Sequence, residues 1–120
     1  MVFQSSILFN PPSQYRMHMA VDPHGIAYMA VLSPMNQPVS NLHHMTVPFA
    51  DVMQFAQNPE GTLTAKSEHA WIKIETDEHL PGLELSLTMH DEIDDESHAS
   101  SIRKGDLLEL CQMLSGTTAA

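Results

Sequence analysis

Residues 15–32 read Tyr15-Arg16-Met17-His18-Met19-Ala20-Val21-Asp22-Pro23-His24-Gly25-Ile26-Ala27-Tyr28-Met29-Ala30-Val31-Leu32, and this stretch decides the fold class. In its first arm Tyr15, Met17, Met19 and Val21 alternate with Arg16, His18 and Ala20, the period of a half-buried strand. Asp22-Pro23-His24-Gly25 carries the residues that a tight turn favours. The second arm puts Ile26, Tyr28, Ala30 and Leu32 on one face. Two alternating arms around a turn predict a β-hairpin.

Upstream, residues 2–9 alternate loosely as a first strand, and Asn10-Pro11-Pro12-Ser13 ends it. Downstream, residues 33–41 read as a loop and residues 42–47 as a strand. Pro48 then opens a helix over about residues 49–57, with Phe49, Val52, Met53, Phe55 and Ala56 spaced as a buried stripe. Asn58-Pro59-Glu60-Gly61 stops it. The rhythm then recurs. Residues 62–66 form a weak strand, and residues 70–76 set Ile72 and Ile74 opposite Trp71, Lys73 and Glu75. His79 to Gly82 turn the chain, and Leu83, Leu85, Leu87 and Met89 share a face. A short strand near residues 99–103 leads to a helix near residues 105–114, closed by Gly116, with a frayed end from Thr117 to Ala120.

The fold class this predicts is α+β: a mostly antiparallel sheet with two helices in one domain, 1–120, of two similar halves, about 1–60 and 61–120. An offset of 55 aligns Asp22 with Asp77, His24 with His79, His43 with His98, Asp51 with Asp106, Gln57 with Gln112 and Gly61 with Gly116. Neither half alone could bury both a sheet face and a helix stripe, so the halves are expected to pack together.

Composition bounds the function. The chain of 120 residues is 42% apolar, enough for one core. No stretch approaches the ~20 apolar residues of a membrane span. The start, Met1-Val2-Phe3-Gln4, lacks a basic region followed by an apolar run, so a cytoplasmic protein is expected. Cys111, the single cysteine, lies in the helical pattern Leu107-Leu108-Glu109-Leu110-Cys111 and reads as a buried hydrophobe; neither an internal disulfide nor a cysteine zinc cage can form.

Charge is the strongest compositional signal: 15 acidic residues against 5 basic ones give −10. Arg16, Lys66, Lys73, Arg103 and Lys104 are spread thinly, unlike the dense cationic field of polyanion binders. A negative exterior attracts cationic partners. The run Asp91-Glu92-Ile93-Asp94-Asp95-Glu96 supplies carboxylates for docking a basic partner, or else is a solvated loop. No serine elbow, phosphate-binding glycine loop, His-Glu-x-x-His motif or dinucleotide fingerprint is present, which points away from an enzyme and from a cofactor.

The first expectation is therefore a non-enzymatic, acidic protein-binding module, an inhibitor or neutralising protein for a basic, nucleic-acid-binding target, with a homo-oligomer such as a dimer allowed. The second comes from element order. Four strands and a helix, twice over, resembles the architecture of the Whirly single-stranded DNA-binding proteins. That resemblance implies strand-presented stacking and backbone contacts to nucleic acid, for which Tyr15, Arg16, His18, Trp71 and Lys73 are the available rings and phosphate partners. A third concerns the eight histidines. His90 and His98, beside Asp91 and Glu92, are the weak metal-ligand candidates, and no histidine falls in a predicted helix.

Overall fold

In the computed structural model, residues 6–80 and 82–118 are described, and residues 2–5 of the first expected strand lie outside them. The elements run β1 (Ser6–Leu8), β2 (Arg16–Val21), β3 (Ile26–Leu32), β4 (Met45–Pro48), α1 (Phe49–Gln57), β5 (Thr62–Lys66), β6 (Ala70–Glu75), β7 (Glu84–Asp91), β8 (Glu96–Arg103) and α2 (Lys104–Thr118). The fold is α+β. All eight strands form one antiparallel sheet in sequential order.

The sheet divides naturally at its middle. β4 and β5 share a single register pair, Thr46 with Lys66, whereas β7 and β8 pair along their whole length. From this narrow joint the sheet curls until the chain leaving β1 reaches β8: the Asn10 N–H donates to the Ser101 carbonyl at 2.9 Å, and Asn10 Nδ2 donates to Ser101 Oγ at 3.0 Å. The inner face carries Met17, Met19, Met29 and Val31 from one half and Ile72, Ile74, Leu85 and Leu87 from the other, all in one buried cluster. α1 packs against α2, and α1 also meets β3, β4 and β5 while α2 meets β1, β2 and β8. Val52, Phe55, Leu107, Leu110 and Cys111 extend the core into the helices. Methionine fills much of this interior: Met17, Met19, Met29, Met45 and Met89 are all buried, which suits the irregular space between a curled sheet and two helices.

The 15–32 hairpin forms as the alternation predicts, with Met17 opposite Val31 and Met19 opposite Met29. Its turn is fixed by chemistry: the Asp22 carboxylate accepts the N–H groups of His24 and Ile26, and Gly25 takes φ +81°. Ile26, Tyr28, Ala30 and Leu32 share a face of β3 as expected, and it is the outer one. Ala27, Met29 and Val31 turn inward. Both faces of β3 are apolar, so its own alternation could not choose between them; the register with β2 did.

Other boundaries moved. β8 begins at Glu96, so the acidic run is a turn over residues 92–95 flanked by two strand ends. Leu83 is 78% exposed and lies outside the apolar face expected for it. Gly116 does not stop α2, which continues to Thr118; of the frayed end expected from Thr117, residues 119–120 lie outside the described residues. The halves share an element order and differ in element length: β4 has 4 residues where β8 has 8, and α1 has 9 where α2 has 15. Among the described residues no helix is long and apolar enough to cross a membrane.

Leu107 is fully buried where α2 meets the core. Leu107→Ala should lower the unfolding free energy by about 3 kcal/mol, measured by urea titration, because it removes buried apolar atoms and leaves a cavity in their place. Burial alone pushes the Cys111 thiol up to about 11, so it should stay inert to a disulfide exchange reagent until the protein unfolds.

Candidate functional site

Alternation along β7 turns Leu85, Leu87, Met89 and Asp91 inward and Ser86, Thr88 and His90 outward. Asp91 is thus the one buried charged residue among those described, at 0% exposure. A buried carboxylate is costly unless it is saturated with donors, and this one is. It accepts the Asn41 backbone N–H at 3.1 Å and Asn41 Nδ2 at 3.0 and 3.1 Å, and the N–H groups of Ile93 at 2.9 Å and Asp94 at 3.2 Å. Burial by itself would raise its pKa; the N–H donors of Asp94, Asn41 and Ile93 outweigh that and hold it down at about 2. Asp91 is therefore occupied within the fold, tying the loop of the first half to the last turn of the second. Its four acidic neighbours, Glu92, Asp94, Asp95 and Glu96, are exposed.

The Glu92 N–H donates to the His69 carbonyl at 2.8 Å, which locks the β7–β8 turn beside the β5–β6 turn. Glu68 then joins the acidic group from a distant part of the sequence. Five exposed carboxylates, those of Glu68, Glu92, Asp94, Asp95 and Glu96, occupy one end of the sheet. Three of them face histidines: Glu68 lies 3.9 Å from His69 Nε2, Asp95 lies 3.7 Å from His90 Nε2, and Glu96 lies 3.8 Å from His98 Nε2.

One register step from this end, the outward face carries Thr46, Lys66, Trp71, His90 and Ser97 in a row across five strands. Lys73 Nζ sits 4.6 Å over the Trp71 ring, and the His90 ring lies 5.6 Å from it. His90 Nδ1 and Ser97 Oγ are 2.8 Å apart. With Asp95 on the other nitrogen, these groups superficially form a hydroxyl–imidazole–carboxylate line. The 3.7 Å approach is too long for a hydrogen bond, so they do not make a proton relay.

The residues named from the nucleic-acid resemblance do not converge. Trp71 and Lys73 are neighbours on β6, whereas Arg16 and His18 lie on β2, four strands away, and Tyr15 precedes them as an exposed ring. Of the basic residues only Lys66 and Lys73 flank Trp71. The two metal candidates also part: His90 points outward opposite Ser97, and His98 points inward opposite Met89. Among the described residues, no group of three or more ligand-type side chains could hold a metal ion.

A second feature lies on the outward side of β2 and β3. The alanines Ala20 and Ala30 leave a depression there, bounded by Tyr28 and His18 and overhung by residues 38–44. That overhang is pinned to the sheet: the Val39 N–H donates to the Val31 carbonyl, and the Val31 N–H to the Leu42 carbonyl. The resulting groove encloses roughly 450 Å3 and presents the rings of His43 and His44, stacked edge to face. Neither Glu68 nor this groove was identified from sequence. Both depend on which turns and loops the sheet brings side by side.

No known protein family, no characterised protein and no solved structure matches this chain.

Asp91→Asn should lower the melting temperature at pH 7 by roughly 5 °C or more. The sign with pH follows from the depressed pKa. The stability that Asp91 contributes is present above the ordinary carboxylate value of 3.8 and is lost as pH falls from there towards about 2. Thermal melts from pH 5 to pH 2 should show the wild type losing its advantage over Asp91→Asn within that window.

Proposed function

We propose that the protein is a non-enzymatic binding module that docks a basic protein partner against the acidic end of its sheet. The observation that carries this reading is the pairing of the β5–β6 and β7–β8 turns through Glu92 and His69, which assembles five exposed carboxylates on one surface. Trp71, one register step away and steadied by Lys73 and His90, gives that surface an aromatic anchor of the type that dominates protein interfaces. A net charge of −10 adds long-range attraction for cationic targets. The buried, free Cys111 is in keeping with work in the cytoplasm.

The same geometry weighs against single-stranded nucleic acid. A strand stacked on Trp71 could place phosphates near Lys66 and Lys73, and its course along the row would bring others against the carboxylates of Glu68, Asp94 and Asp95. Local repulsion there adds to the unfavourable net charge.

Trp71 is the only tryptophan, so its fluorescence reports directly on this surface. A deca-arginine peptide should perturb it at low salt, with affinity falling as salt rises. The combined variant Glu68→Gln, Glu92→Gln, Asp94→Asn, Asp95→Asn should bind the peptide roughly tenfold more weakly. A variant of equal charge change on the helical side (Asp51→Asn, Glu60→Gln, Asp106→Asn, Glu109→Gln) should lose much less. Equal losses in the two variants would reduce the effect to net charge and remove the docking surface. Quenching by an oligonucleotide, with none by the peptide, would replace this reading by the nucleic-acid one.

A further inference from the structure

The groove between β2, β3 and the 38–44 overhang is left unused by the acidic docking surface, yet the two are continuous. Tyr28, at the rim of the groove, is register partner to Thr46, and Thr46 to Lys66, which leads into the β5–β6 turn with Glu68. The loop that overhangs the groove is itself held by Asn41 on Asp91, the residue that also shapes the acidic turn. One buried carboxylate thus fixes both features relative to each other.

The groove walls suit an apolar ring. Its floor is the methyl groups of Ala20 and Ala30, and its sides are Tyr28, Pro38 and the imidazoles of His43 and His44. Pockets of a few hundred Å3 with apolar walls and few polar groups are typical seats for one large side chain or small ligand. The backbone is also unusual there: Ser40 and His44, both lining the groove, have φ of +49° and +55°, and Asp95 at the acidic end has φ of +52°. Non-glycine residues in the left-handed region carry a conformational cost, which the surrounding hydrogen bonds sustain.

We infer that this groove receives an aromatic side chain of the same basic partner, so that the recognised segment combines an arginine or lysine cluster with one ring. This rests on the acidic docking reading: the charge of the neighbouring end selects a cationic segment, and the groove lies along that segment's path. From the groove to the acidic turns is about three strand spacings, ~15 Å, which an extended chain covers in about four or five residues.

The experiment uses two synthetic peptides, each with four arginines, a four-residue Gly-Ser spacer and a final residue that is phenylalanine in one and alanine in the other. The phenylalanine peptide should bind the wild type roughly tenfold more tightly, as expected for burying one ring. Ala30→Leu fills the groove floor and should abolish this preference; Ala20→Leu repeats the test should the first variant melt abnormally. Equal affinity of the two peptides for the wild type would overturn the inference, as would a preference that survives both filled-groove variants. Failure of both peptides to bind would overturn it together with the acidic reading. A phenylalanine preference that persists after the four carboxylates at the sheet end are neutralised, with no loss of affinity, would leave the groove standing and sink the acidic reading alone.

Discussion

The arrangement depends on one buried carboxylate. Asp91 lies at the end of β7 on the face that the rest of that strand gives to leucine and methionine. Buried alone, its charge would be intolerable; with donors from Asn41, Ile93 and Asp94 it becomes a junction. Few other contacts could do this work. Within the sheet the two halves share a single β4–β5 register pair, Asn10 meets Ser101 at the opposite closure, and apolar packing on the inner face is non-directional. Hydrogen bonds to Asp91 add direction, setting where the 38–44 loop stands relative to the β7–β8 turn.

That junction explains why the outward surface is organised at one end. β-sheet geometry brings the turns of alternate hairpins to the same edge, so the β5–β6 and β7–β8 turns are neighbours by topology. Asp91 and the Glu92–His69 bond then hold them in a fixed relation. The carboxylates around them could otherwise relax apart by mutual repulsion. Holding like charges together costs stability, and the buried donors are where that cost is offset.

Much of the fold was legible in the sequence because strand alternation and turn chemistry are local signals. The 15–32 hairpin, the α1 boundaries and the inward Ile72 and Ile74 all follow from residues within one or two elements of each other. The inward face of β3 was not legible, since Ile26, Tyr28, Ala30 and Leu32 are as apolar as Ala27, Met29 and Val31. The site was legible only in part. The acidic run announced itself by composition, but Asp91 resembled its neighbours and differs from them only through the parity of β7. Glu68 reaches the acidic end through the pairing of β6 with β7, and the groove needs residues 38–44 to run back along the edge of β3. Those are long-range facts, set by register, and no local pattern encodes them.

Net charge and local charge give different guidance here, and the difference decides between partners. By count, the chain repels any polyanion. By position, Lys66 and Lys73 make the immediate surroundings of Trp71 positive, a setting in which a nucleobase and its phosphates could be accommodated. Screening in physiological salt acts over about 8 Å, so neither the whole-molecule charge nor the two lysines alone determine what a ligand meets. What matters is the sum within that radius along the ligand's path. The row from Thr46 to Ser97 runs one register step from the turns that carry Glu68, Glu92, Asp94 and Asp95. A ligand large enough to use the ring must also pass these carboxylates. A polypeptide can meet both demands by setting acidic or apolar groups near the lysines and cations near the turns. A nucleic acid strand, carrying the same charge at every step, has no such freedom.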